Sequence, residues 1–153
     1  MQDLETIVVH HPFWQNLHQR YSHFLGECAG TQHFAPQQQI FQTGCEADHF
    51  YLIERGRVAL ETPFIPGKGV MTIQTLEAGE ALGWSWLFPP FVWHFGARAI
   101  QPTDLVVLDA RFLRQKASED HEFGYELAMR VGNVMLQRLQ ATRLQLLDYG
   151  QPR

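Results

Sequence analysis

Gly79-Glu80-Ala81-Leu82-Gly83 opens a stretch that continues through Trp84, Trp86, Phe88, Pro89-Pro90, Phe91, Trp93, His94 and Phe95 before Ala97-Arg98-Ala99 starts a new extended segment. A glycine-framed acidic residue thus ends one apolar segment, and a run of rings broken by two prolines leads to the next. On either side the hydrophobic period is short. Strand-like segments fall at about 28–34, 39–42, 49–54, 57–63, 70–76, 94–101 and 104–108. Turn signals lie between them at Thr43-Gly44, Arg55-Gly56, Pro66-Gly67-Lys68-Gly69, Ala78-Gly79 and Gln101-Pro102. Many short strands at this spacing predict a mainly β fold, a double-stranded β-helix (jelly-roll) barrel over about 28–108.

Both ends of the chain change period. Residues 1–10 read as a lead-in. Pro12 suits a first helical turn, and Phe13, Trp14, Leu17, Tyr21, Phe24 and Leu25 fall near helical spacing, which predicts an N-terminal helix over about 12–25. After the strands, Asp109 is placed to cap a short helix, and Asp120 or Ser118 a long one that runs to about Tyr149. Gly150 and Pro152 are its stop signals, leaving a tail at 150–153. Leu127, Val131, Val134, Met135, Leu139, Leu146 and Tyr149 share one broad face of the long helix. A helix of about 28 residues is roughly 42 Å long, more than one small barrel covers, so it is expected to pair with a second copy and form a homodimer. The other reading bends the helix wholly onto its own barrel.

With 153 residues the chain is the size of one domain, placed at 11–149, and needs no disulfide or metal to fold. The net charge of −4 argues against a basic nucleic-acid-binding face. The two cysteines, Cys28 and Cys45, lack a paired-thiol spacing and suit a reducing compartment. With no signal peptide and no apolar run near membrane-spanning length, a cytoplasmic location and no membrane contact are expected. Eight histidines are scattered: His10-His11 precedes the predicted helix, and His33, His49 and His94 stand singly. No metal site is expected, since a cupin-type centre needs His-x-His with a downstream carboxylate and histidine. No catalytic triad spacing or phosphate loop is present either, so the chain does not read as an enzyme.

The order of helix, short strands and long C-terminal helix resembles the cyclic-nucleotide-binding domains of the catabolite-activator (CRP/FNR) type. Four segments carry the resemblance: Phe34-Ala35-Pro36, Ile40-Phe41-Gln42-Thr43-Gly44, Asp48 through Val58, and Gly79-Glu80-Ala81-Leu82-Gly83, which looks like the start of the family's phosphate-binding cassette. The family's cassette meets a cyclic phosphate with helix N–H groups and an arginine fork, while a glutamate accepts the ribose 2′-hydroxyl and the base rests on the long helix. On this resemblance Glu80 takes the ribose-binding place, and Thr142 meets the base with Arg143 beside it. The family's arginine, about ten residues after the glutamate, has no counterpart: counting gives Pro90 from one side and Trp93 from the other. His94 and Arg98 are the nearby cations.

Each candidate has a plainer reading. Glu80 could instead bond to its own turn, Arg98 could form an ion pair with Glu80, and His94 could be a rim histidine. Trp84, Trp86 and Trp93 either fill the nucleotide place or line a pocket for another ligand. Thr142 could be a helix-surface residue. The sequence therefore predicts a regulatory small-molecule-binding domain with an altered cassette that signals through the helix dimer. Gly79, Glu80, Ala81, Leu82, Gly83, Trp93, His94, Arg98, Thr142 and Arg143 are its candidate ligand residues. No cofactor is expected beyond a cyclic nucleotide or another small anionic or planar ligand. The alternatives are a degenerate pocket serving as an interaction scaffold with a protein partner and, more remotely, a cupin-like metalloenzyme. The family's regulators continue into a helix-turn-helix, for which this chain leaves no room, so direct DNA binding is not expected.

Overall fold

A computed structural model describes residues 3–150; the predicted tail beyond Gly150, with Pro152, lies outside the described residues, as does the side chain of Tyr149. Seven strands form where the turn signals delimit them: β1 (Ala29–Phe34), β2 (Gln39–Phe41), β3 (His49–Arg55), β4 (Arg57–Glu61), β5 (Thr72–Glu77), β6 (Gly96–Ala99) and β7 (Thr103–Asp109). They pair antiparallel in two separate sheets, β1-β7-β3 and β2-β6-β4-β5, rather than in one closed barrel. The barrel expectation is corrected in that respect. The predicted strand at 94–101 shortens to β6, because His94 and Phe95 stay in the aromatic loop and Ile100 and Gln101 bend toward β7. Leu52, Val58, Leu60, Leu105 and Val106 are all buried. Successive residues of a strand point to opposite faces, so the burial of the neighbours Leu105 and Val106 means that β7 is covered on both faces.

Gly56 makes the β3–β4 hairpin possible. Its φ is +107°, and a Cβ there would lie 2.6 Å from the Pro102 carbonyl oxygen and 2.7 Å from Thr103 Cα. Only glycine meets both conditions.

The N-terminal expectation is also corrected. Within the 1–10 lead-in lies a helix, α1 (Leu4–His10), whose first turn is capped by the Asp3 carboxylate accepting from the Thr6 N–H at 2.8 Å. The single helix over 12–25 is broken into two short 3-10 turns, Pro12–Trp14 and Gln19–Tyr21, followed by α2 (Ser22–Cys28). Asn16 at φ +67° interrupts it. Just before it, His11 caps the first turn, and its buried ring bridges two backbone groups: Nδ1 accepts from the Phe13 N–H at 3.1 Å, and Nε2 donates to the Ile53 carbonyl at 2.9 Å. That arrangement requires a neutral ring, and burial accordingly pushes the His11 pKa down. The unfolded chain binds this proton near pH 6.5 and the fold does not, so stability is lost as pH falls below about 6.5. Urea midpoints of the wild type should drop between pH 7.5 and 5.5 by more than those of His11→Gln. Equal drops contradict the assignment.

At the other end, Asp109 caps α3 (Ala110–Glu119) by accepting from Arg111 and Phe112 N–H groups. Of the two predicted caps for the long helix, Asp120 serves: Oδ1 accepts from the N–H groups of Glu122 and Phe123. This helix, α4 (His121–Gly150), has 30 residues and spans about 45 Å. No described helix is long and apolar enough to cross a membrane. Leu127 and Val131 are buried in the core, and Phe123 packs on Trp14, Tyr21 and Phe24. Polar ties fix the rest. Arg130 donates to the Phe13 and Gln15 carbonyls at 2.8 and 2.7 Å, Arg138 to the Ala81 carbonyl, and Gln145 to the Ile73 carbonyl at 3.2 Å. These ties hold α4 across the face of β5 and the aromatic loop.

Candidate ligand-binding site

The stretch from Gly79 onward first runs beside β3. Gly79 and Leu82 donate to the Ile53 and Tyr51 carbonyls at 2.9 and 3.1 Å, and Ile53 donates to the Glu80 carbonyl at 2.9 Å. Gly79, at φ +92°, closes the turn that leaves β5. Past Gly83 the chain makes a turn at Ser85–Leu87, and Trp86 drops into the core. It is fully buried, stacks on Phe50 at 4.5 Å, and its indole N–H holds the Gly83 carbonyl at 3.1 Å. Arg114 donates to the Trp86 carbonyl at 2.6 Å and lies 4.1 Å over the Phe91 ring. The loop then returns alongside residues 44–47, with Trp93 donating to the Cys45 carbonyl at 3.0 Å. Trp93 stacks on Phe41 with ring centres 3.9 Å apart.

Between this loop, β4, β5 and α4 lies a cavity of about 530 Å³. That is within the usual range of small-molecule sites. Its walls are Phe41, Leu60 and Ile73 from the strands, Leu82, Gly83, Trp84, Ser85, Trp93, His94 and Phe95 from the loop, and Gly132, Met135, Leu136, Arg138, Leu139 and Thr142 from α4, with Gln74. The tryptophans therefore divide between the two sequence readings: Trp86 fills the core, while Trp84 and Trp93 line an open space.

Of the candidates read from sequence, the structure gathers Leu82, Gly83, Trp93, His94 and Thr142 around the cavity. Gly79, Glu80 and Ala81 face a second depression beside Pro12, Asn133 and Gln137, and Arg138 lines both it and the cavity. Glu80 caps its own turn, with Oε2 accepting from the Glu77 N–H at 2.7 Å. Arg98 is tied down elsewhere and does not pair with Glu80. Its Nε lies 3.2 Å from Glu61, and its terminal nitrogens donate to the Gln37 carbonyl and Gln39 Oε1 at 2.7 and 2.6 Å. Arg143 is exposed and is not part of the cavity wall. The Thr142 hydroxyl turns back to the Arg138 carbonyl at 2.9 Å.

The cavity lies four residues further along the chain than the glycine–glutamate pair. Gly83, not Gly79, is the glycine at the cavity, and the residue after it is Trp84. A count of ten from Trp84 reaches His94, also in the wall. Two glycines four residues apart, Gly79 and Gly83, offer two starts for the loop, and the acidic neighbour of Gly79 favours the first.

Arg138 is the cavity residue that sequence reasoning missed. Its residue surface is only 9% exposed, and Nη1 is buried without a hydrogen-bond partner. Such an unpaired buried group costs about 1–3 kcal/mol or more when charged. Burial pushes the guanidinium pKa down, and the Glu80 carboxylate opposes this. The signal was present: Arg138 falls seven residues after Val131, on the buried stripe of α4, where a cation is out of place. Among the described cavity residues, Arg138 and His94 are the ionisable ones, and none is a carboxylate.

The cyclic nucleotide-binding domain profile matches residues 31–120. Among solved structures, a protein of Geobacter metallireducens GS-15 named for cyclic nucleotide binding superposes with a TM-score of 0.79 at 24% identity, covering 91% of this chain and 99% of that one. A cyclic nucleotide-binding domain from Methylobacillus flagellatus KT gives 0.79 at 20% identity, over 99% and 84% of the two chains. The catabolite activator protein of Thermus thermophilus gives 0.70 at 19%, over 91% of this chain and 63% of its own. At these identities the likeness concerns the fold. No curated protein matches the sequence.

Proposed function

The chain belongs to the cyclic nucleotide-binding domain family, and we propose that it is a regulatory, non-catalytic ligand-binding domain whose cassette is altered and whose long helix reports occupancy through a homodimer. One observation carries this reading: the cavity of about 530 Å³ is open, and α4 forms one of its walls. The cassette is altered in that Trp84 and His94 stand on the cavity at the places where the family carries its glutamate and arginine. A nucleotide phosphate would find no arginine on the loop side.

The dimer is supported by an apolar stripe on α4. Tyr125, Met129, Leu136, Leu139 and Leu146 are exposed and follow a heptad spacing, with Gly132 and Arg143 at the intervening positions. A Cβ at Gly132 would meet nothing within 4 Å, so this position is free for the close approach of a second helix. Gly132, Leu136 and Leu139 belong to both the stripe and the cavity wall. A ligand that packs better against one helix arrangement than another shifts the pairing equilibrium by its differential affinity.

Leu146 lies on the stripe but off the cavity, so it separates pairing from ligand contact. The wild type should sediment as a dimer at micromolar concentration. Leu146→Glu buries an uncompensated charge in the helix seam and should weaken dimerisation at least tenfold. A wild-type chain that stays monomeric overturns the helix-pair reading. The scaffold alternative draws on the same stripe, but the open cavity favours a domain that also holds a ligand.

A further inference from the structure

We propose that the cavity takes an apolar organic monocarboxylate, with its anionic group met by Arg138 from α4 rather than by the cassette. This rests on the ligand-binding reading of the same cavity and names its ligand class.

The argument begins with charge. Arg138 lines the cavity, is nine-tenths buried, and holds one terminal nitrogen with no partner. Its other terminal nitrogen is committed to the Ala81 carbonyl, which fixes the planar head against the start of the loop. A guanidinium held in this way offers one free donor edge and one positive charge. That suits a single carboxylate oxygen through a charge-assisted hydrogen bond. A phosphate monoester dianion would leave a charge unmatched, because His94 is exposed and the loop makes a turn, not a helix, at Ser85–Leu87 among the described residues; a cyclic phosphodiester carries a single charge and is set apart from a carboxylate by the polar sugar and base it brings.

Shape and polarity give the rest of the ligand. The remaining wall is dominated by Trp84, Trp93, Phe41, Ile73, Leu136 and Leu139, so a flat ring or a branched chain fits and a sugar does not. A ribose or a base edge would be desolvated here, with Gln74, Ser85 and the already bonded Thr142 as the neutral polar side chains on the wall. An apolar body with a single acidic group satisfies the orphaned donor and leaves no polar group of its own stranded. Because Arg138 sits on α4, the ligand's charge acts directly on the helix, the element proposed to report occupancy.

The test compares isosteres on the full chain, by amide-detected NMR titration and thermal shift. Indole-3-acetate, phenylacetate and octanoate are paired with their neutral amides, and cyclic AMP is run beside them. At least one carboxylate should bind at the cavity, with shifts at Leu82, Gly83 and Leu139, and at least tenfold more tightly than its amide. Arg138→Gln should remove that preference, and Arg138→Lys should keep part of it. If acid and amide bind equally, the Arg138 assignment fails while the ligand-binding reading stands. If neither acids, amides nor cyclic AMP perturb the cavity, both readings fail. If cyclic AMP binds more tightly than every carboxylate, the ligand class proposed here is wrong. The acid-against-amide comparison uses the wild type alone, so it decides the question even where Arg138→Gln does not fold.

Discussion

Replacing Trp86 with alanine should lower the stability of the domain by about 3–5 kcal/mol, the usual cost of deleting a buried aromatic side chain. Trp86 is fully buried and begins a chain of ring contacts that crosses the molecule. It stacks on Phe50 at 4.5 Å; Phe50 meets Phe13 at 4.8 Å; Phe13 meets Trp14 at 4.7 Å; and Trp14 lies 6.2 Å from Phe123 on α4. The loss combines transferred apolar surface with a cavity that the surrounding rings are too rigid to close. It also removes the indole bond to the Gly83 carbonyl, which holds the loop at the cavity. Trp86→Phe should recover part of the stacking but not that bond. Urea unfolding of the three proteins checks the order wild type, Trp86→Phe, Trp86→Ala. A loss below about 1 kcal/mol for alanine would mean that the ring is not what supports the loop.

The second large effect concerns the ligand after which the family is named. A cyclic nucleotide placed in this cavity as the family resemblance implies would put its phosphate by the loop and its base against α4. The loop offers Leu82, Trp84, Ser85, Trp93, His94 and Phe95, and among the described cavity residues the buried cation, Arg138, comes from the helix. Removing one partner from a buried ion pair costs about 3–5 kcal/mol, which is two to three decades or more of affinity at 1.4 kcal/mol per tenfold. Arg98 cannot substitute without breaking its ion pair with Glu61 and its bonds to Gln37 and Gln39.

Much of the fold was legible because strands and turns obey local rules. The seven strand segments were bounded by glycine and proline, and the observed strands start and end within a few residues of them. Asp109 and Asp120 were readable as caps because a carboxylate before an apolar run has few other uses. The N-terminal break was not legible. It falls at Asn16, whose left-handed φ the helical spacing does not signal, while His11 before it is held to Ile53, 42 residues away, which no local pattern encodes. Closure of the barrel was over-read, since alternation specifies which face is inward but not whether sheet edges join. The site was half legible. The aromatic loop and the long helix were found, but their register was taken from Glu80, which bonds only to its own turn. Arg138 went unread, because the apolar spacing of α4 marks its hydrophobic residues and not the polar one that shares their face.

The central claim is that this fold keeps an open cavity whose positive group comes from α4 and not from the cassette. Isothermal titration of the full chain with cyclic AMP tests it most directly. Binding should be weaker than micromolar, or absent. A Kd at or below micromolar, retained in Arg138→Gln, would contradict the account, since the loop would then be gripping the phosphate without an arginine or with one that the cavity does not display.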